Sequence, residues 1–127
     1  MLASYGEAGI PDAHWSFLRE RCVDYFENES HLFAHGGVDA RRPMPEQEIA
    51  VLRWKTFRDA QPHVSGKILV CGHTTQRDGF PRNRGHSICL DTGVSRGGWL
   101  TCLDTGSGAY TQSNQLGQVR TGYLATR

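Results

Sequence analysis

The sequence predicts a mixed fold of the α/β (α+β) class. Two observations carry that prediction. Three short apolar runs, Ile68-Leu69-Val70-Cys71, Ser87-Ile88-Cys89-Leu90 and Trp99-Leu100-Thr101-Cys102-Leu103, are β-branched or bulky and too short for helices, so each reads as a buried strand. Upstream, Trp15, Leu18, Cys22 and Phe26 recur at helical spacing, with Arg19, Glu20, Asp24 and Glu27 on the remaining faces. Turn formers punctuate the strand region: Gly72, Gly79, Pro81, Asn83 and Gly85, then Gly93, Gly97 and Gly98.

Each element follows in chain order. Residues 1–10 are short, glycine-bearing and irregular. Pro11 and Asp12 start a helix, because proline is tolerated in a first turn and aspartate can cap it. That helix is expected to run to about Asn28. His31-Leu32-Phe33-Ala34-His35 follows as a short strand closed by Gly36-Gly37. Residues 39–46 carry Arg41, Arg42, Pro43 and Pro45 and read as a surface loop. Residues 47–57 read as a short helix with Ile49, Leu52 and Trp54 inward, and residues 59–66 as another loop. The three strands come next, and Ala109-Tyr110-Thr111-Gln112 with Gln118-Val119-Arg120-Thr121-Gly122-Tyr123 forms a terminal hairpin.

At 127 residues the chain is a single domain, with 38% apolar and 9% aromatic residues, enough for a modest core. The formal charge is +1 and the lysines and arginines are scattered, which argues against a nucleic-acid surface. Cysteines at 22, 71, 89 and 102 form no CxxC pair, so a zinc ribbon is not expected. Cys71, Cys89 and Cys102 lie in apolar runs and read as small, reduced, buried hydrophobes. Met1-Leu2-Ala3-Ser4-Tyr5-Gly6 is not a signal peptide, and the longest apolar run is four residues, so a soluble cytoplasmic protein with no membrane partner is expected.

Two histidines share one arrangement. His35 follows Leu32-Phe33-Ala34 and precedes Gly36-Gly37, and His73 follows Leu69-Val70-Cys71-Gly72. Each ends a strand. If those strands are neighbours, both imidazoles emerge at one sheet edge, a favoured place for sites. Neutral imidazole ligates Zn, Mn or Fe, although a histidine at a strand end is more commonly a hydrogen-bonded structural residue. His14 reads as a partly exposed packing residue, while His31, His63 and His86 show no partner at useful spacing. Arg53-Trp54-Lys55 reads as a solvated helix face anchored by Trp54, or alternatively as an anion contact. Asp91-Thr92-Gly93 reads as a turn in preference to a carboxylate ligand. No GxSxG, GKS/T or HExxH motif occurs.

Four segments in order, Phe33-Ala34-His35-Gly36-Gly37-Val38-Asp39, Val70-Cys71-Gly72-His73-Thr74, Leu90-Asp91-Thr92-Gly93 and Gly97-Gly98-Trp99-Leu100-Thr101-Cys102-Leu103-Asp104, resemble the C-terminal half of a calcineurin-like metallophosphoesterase. The resembling branch holds bacterial serine/threonine protein phosphatases and diadenosine tetraphosphatases. The similarity runs over nearly the whole chain. It implies a β-sandwich flanked by helices, present here as an incomplete domain. It also implies a site for two divalent metal ions (Mn, Fe or Zn), with His35 and His73 as ligands of the second. Phosphate monoesters of a protein or small molecule would be hydrolysed by metal-activated hydroxide.

The family's Asp-x-His, Gly-Asp-x-x-Asp-Arg-Gly and Gly-Asn-His-Glu motifs are absent, and with them the remaining metal ligands and the general-acid histidine. The resemblance implies that the chain opens just past the last of these. Where many relatives carry a phosphate-contacting arginine this chain has Thr56, leaving Arg53 or Lys55 for that role. The isolated chain is therefore expected to have little activity. It reads as part of a phosphatase, with part of a dinucleoside polyphosphate hydrolase, or a non-catalytic remnant or split-enzyme half that self-associates or docks on an N-terminal half, as the alternatives.

Overall fold

The computed structural model describes residues 5–6 and 9–125. Part of the irregular segment expected over residues 1–10 lies outside the described residues. The described residues form two sheets and two α-helices. Helix α1 is Asp12–Arg21 and α2 is Ile49–Trp54. The strands are β1 (Tyr25–Glu27), β2 (His31–Ala34), β3 (Ile68–Cys71), β4 (Arg82–Asn83), β5 (Ser87–Cys89), β6 (Trp99–Leu103), β7 (Ala109–Asn114) and β8 (Val119–Tyr123). The mixed α+β class read from the sequence is the one observed.

The first sheet has the order β1-β2-β3-β5-β4. Its centre is parallel: Leu32 pairs with Leu69, and Val70 pairs with Ile88. Its edges are antiparallel, β1 on β2 and β4 on β5. Parallel strands need a crossover connection that covers a sheet face. Residues 38–60 serve here: Val38, Met44, Leu52, Phe57 and Ala60 bury themselves with Leu32, Leu69, Cys71 and Cys89 into one core.

The second sheet is the meander β6-β7-β8. It carries the expected hairpin, closed by Gly117 at φ 74. A polar joint ties it to the first sheet. Gln112, fully buried, donates through Nε2 to Gly79 O at 3.0 Å and to Thr101 Oγ1 at 2.7 Å. Arg120 lies between the rings of Phe80 and Trp99, at 4.2 and 4.1 Å, and its Nε donates to Gln112 Oε1 at 2.7 Å.

Several expectations are corrected. Helix α1 ends at Arg21, because Cys22 turns extended at φ -83, ψ 135. Residues 25–27, expected to be helical, pair with β2 instead, with Phe26 opposite Phe33 at 5.9 Å between ring centroids. Sheet pairing outweighs a local helical period. The apolar side chains of α1 are not buried: Trp15 and Leu18 are 43% and 52% exposed. Pro11 stands at the N-cap with no side-chain cap, so Asp12 opens the helix without capping it.

In α2 only Leu52 is buried, while Ile49 and Trp54 are exposed, since a six-residue helix can turn only one narrow stripe inward. The loop over residues 39–46 contains a 3-10 turn, Met44–Glu46, whose Met44 is buried. β6 is half-exposed, not buried, because it lies in the second sheet with Leu100 and Cys102 facing out.

Candidate functional site

The parallel pairing of β2 with β3 decides where the two strand-end histidines go. Both strands run the same way, so both chains leave the sheet at one edge. Gly72 N donates to His35 O at 2.9 Å, which extends the ladder one step and locks the two exits together. The imidazoles of His35 and His73 then stand edge to face, with ring centroids 5.2 Å apart. His35 is exposed and His73 half-buried.

His73 sits in a strained turn. Its φ is 62°, a left-handed value found at no other non-glycine residue among those described. Thr74 N donates back to Gly72 O at 2.6 Å, which makes His73 the centre of a γ-turn with positive φ, the rarer and more strained form. Such a backbone costs on the order of 1–3 kcal/mol and persists only when its surroundings hold it. Here they do. Thr74 Oγ1 accepts from Phe57 N at 2.8 Å, and Gln76 Nε2 donates to Thr74 O at 2.6 Å. Gln76 N reaches Asp91 O at 2.7 Å. From below, the thiol of Cys89 donates to Gly72 O at 3.5 Å and to Thr74 O at 3.2 Å.

The paired glycines after His35 bring α2 to the same place. Gly36 N donates to Leu52 O at 2.6 Å, and Lys55 Nζ donates to Val38 O at 2.8 Å. Trp54, 68% exposed, therefore stands against the other side of His73, its ring centroid 5.5 Å away and nearly perpendicular. The sequence reading turned this side chain inward and missed the contact. The available signal was the shortness of the helix.

Arg53 lines the same region as His35, on a groove of about 630 Å³ that runs over the open face of the first sheet past Phe26, Phe33, Val70 and Leu100. Its guanidinium is forked onto Asp24, with Nε and Nη2 at 2.9 and 2.6 Å from Oδ1. An anion at Arg53 would share or displace that carboxylate.

The other candidates have structural roles. Asp91 makes the expected turn, its Oδ1 accepting from Gly93 N at 3.1 Å. His63 is buried and bridges Ser65 Oγ and Arg42 O, each at 2.8 Å. His31, also buried, meets Ser30 Oγ at 2.8 Å, and His86 meets Ala60 O at 3.2 Å. All three have partners that spacing did not reveal. His14 is exposed, with Tyr5 Oη 3.1 Å from its Nδ1.

A pair of buried thiols lies under the γ-turn. Cys71 and Cys89 are register partners on β3 and β5. Contact with Cys71 lowers the Cys89 thiol from its ordinary range, helped by the Asp91 amide and opposed by burial. The same contact, with burial, pushes Cys71 far above the ordinary thiol range.

Two imidazoles sharing one ion at about 2.0–2.1 Å per nitrogen place their ring centroids roughly 4.5–5.5 Å apart. The observed 5.2 Å lies within that range. Among the described residues, no group of three or more His, Cys, Asp or Glu side chains converges as a full ligand set. No family model, no curated protein and no solved structure matches the chain. Fold and site define a mixed α+β protein of two sheets with an imidazole pair at a parallel sheet edge. Among its described residues no helix is long and apolar enough to cross a membrane.

Proposed function

We infer that the chain supplies the imidazole part of a metal-dependent phosphoesterase site of the serine/threonine protein phosphatase type. The observation that carries this reading is the 5.2 Å approach of His35 and His73 across two parallel strand ends. The strained backbone at His73 supports it, since strain maintained from several sides is typical of functional positions. The metallophosphoesterase sandwich, of which the first sheet and its crossover would be one half, belongs to the same reading. So does a cytoplasmic location, where its four free cysteines stay reduced.

Divalent ions in such a site supply Lewis acidity toward phosphate oxygens and an acidified water. This chain's residues hold and orient. His35 and His73 present imidazole nitrogens, Trp54 packs against one ring, and Arg53 offers a fork to a phosphate once Asp24 is displaced. Further carboxylate ligands come from outside the described residues, because two imidazoles cannot hold two ions.

Calorimetric titration with Zn²⁺ and Mn²⁺ tests the pair. One weak site is expected, lost in both His35→Ala and His73→Ala; binding that survives both substitutions sinks the assignment. Turnover of p-nitrophenyl phosphate with Mn²⁺ should be negligible for the chain alone, and robust turnover would show that the ligand set is complete.

A second reading, a split-enzyme half that docks on another chain, is favoured by the open sheet face. Phe26 and Leu100 are 60% and 63% exposed along the groove. Light scattering separates the two states: a well-behaved monomer at high concentration argues against an uncovered interface.

A further inference from the structure

The residues that follow His73 border a second depression, of about 290 Å³. Arg58, Arg82 and Arg84 line it with Thr74, Thr75 and Gln76, and among the described residues no carboxylate does. The arginines look scattered in the sequence. The fold gathers them, because β4 pairs with β5 while the 3-10 turn Phe57–Asp59 packs beside Thr74.

Arg84 is held in place. Its Nη1 donates to Phe57 O at 3.3 Å and Arg58 O at 3.0 Å, and its guanidinium lies 4.7 Å above the buried Phe57 ring. Those bonds use one nitrogen, so Nε and Nη2 keep their N–H groups for a ligand. Arg82 shares Nη2 with Asp78 at 2.8 Å in a half-exposed pair, which neutralises one of the three charges only in part. No ion pair among the described residues involves Arg58 or Arg84. Thr74 Oγ1 accepts from Phe57 N and retains its own proton to donate.

We propose that this pocket binds a phosphoryl group, at a place separate from the imidazole pair. Guanidinium forks from three positions suit a multiply charged oxyanion with several acceptor oxygens better than a single carboxylate. Thr74 directly follows His73, and consecutive Cα atoms are about 3.8 Å apart, so the pocket begins one residue from the imidazoles. Resting on the phosphoesterase reading, the pocket holds a second phosphoryl group of the substrate while the first lies at His35 and His73. The site then favours esters that carry two phosphates.

The test uses the full chain stripped of metal with EDTA, so that it does not depend on the imidazole pair. Inorganic phosphate and pyrophosphate are titrated separately and backbone amides are followed by NMR. Saturable shifts are expected at Thr74, Thr75 and Gln76. Arg58→Ala should weaken binding at least five-fold, Arg58→Lys should weaken it less, and His35→Ala should leave it unchanged. Arg82→Ala gives a second variant outside the packed residues, with an expected loss of the same sign. Absence of saturable shifts overturns the proposal, as does affinity equal to the parent's in both Arg58→Ala and Arg82→Ala. Loss in His35→Ala would move the anion to the imidazoles. A glutamate-rich peptide that binds as tightly as pyrophosphate would assign the surface to acidic polypeptides and overturn the phosphoryl assignment. Loss of metal binding in the histidine variants leaves all these outcomes readable.

Discussion

Gly36 lies directly against the backbone of Arg53. A Cβ added to Gly36 would stand 2.9 Å from Arg53 C and 3.0 Å from Arg53 O, with Leu52 O at 3.1 Å. These are backbone atoms and cannot rotate away. Gly36→Ala must therefore push the end of α2 outward, at a cost of about 1–3 kcal/mol, the usual range for overpacking. Trp54 moves with that helix end, so its contact with His73 should loosen and its fluorescence should change. Gly72→Ala is the control. Its Cβ would meet His35 O at 3.6 Å and Asp91 Cβ at 3.9 Å, which are ordinary contacts. Chemical unfolding of both variants decides the point, and equal midpoints would remove the steric account of this glycine.

This relation marks where the sequence could be read and where it could not. Strands β3 and β5 and the β7–β8 hairpin were legible because short apolar runs between turn formers have few other solutions. The approach of His35 and His73 follows once β2 and β3 are neighbours, and the repeated strand-His-Gly pattern pointed to it. Phe26 misled, because its helical spacing from Trp15, Leu18 and Cys22 was satisfied while its real partner, Phe33, lay across a turn. Trp54 and the cluster of Arg58, Arg82 and Arg84 were not legible. Both depend on long-range packing, which leaves no local period.

Thiol reactivity gives a direct check on burial. Cys22 and Cys102 are exposed, whereas Cys71 and Cys89 are 4% and 0% exposed. An aromatic disulfide reagent should titrate two thiols rapidly in the native chain and all four after denaturation. The lowering of the Cys89 thiol by Cys71 does not alter this expectation, because reaction needs access as well as a thiolate. Rapid modification of Cys89 in the native state would mean that the γ-turn above it opens readily.

Asp104 supplies a pH-dependent contact in the turn between β6 and β7. Ser107 Oγ donates to its Oδ2 at 2.6 Å and Gly106 N to its Oδ1 at 2.9 Å. Both bonds favour the ionised carboxylate, Ser107 foremost, and hold it below its ordinary value of 3.8. A carboxylate depressed in the folded state contributes stability that is full above the unfolded value and is lost as pH falls through the folded one. The Gly106 and Ser107 amide signals should thus stay fixed above the ordinary carboxylate range and shift only below it. Asp104→Asn should abolish that acid transition. A transition that persists in Asp104→Asn would belong to another group.

Arg120 should matter more to stability than any other exposed-sheet arginine. Its guanidinium lies between Phe80 and Trp99, each contact of this kind contributing about 0.5–2 kcal/mol. It also satisfies Gln112 Oε1, an acceptor on a fully buried side chain, and leaving such an atom bare costs about 1–3 kcal/mol. Arg120→Ala should lower the unfolding free energy by about 2–4 kcal/mol, the lower part of that sum because the guanidinium is only half-buried, with the second sheet loosening first because this joint ties it to Gly79. Arg120→Lys keeps the charge but has no planar fork to serve the two rings and the amide together, so it should recover less than half of the loss. Arg96→Ala, at an exposed arginine with no ion pair among the described residues, should stay within about 0.5 kcal/mol of the parent. Urea unfolding of the three variants measures this ordering. An Arg120→Lys midpoint equal to the parent would show that charge alone, without the stacked geometry, holds the two sheets together.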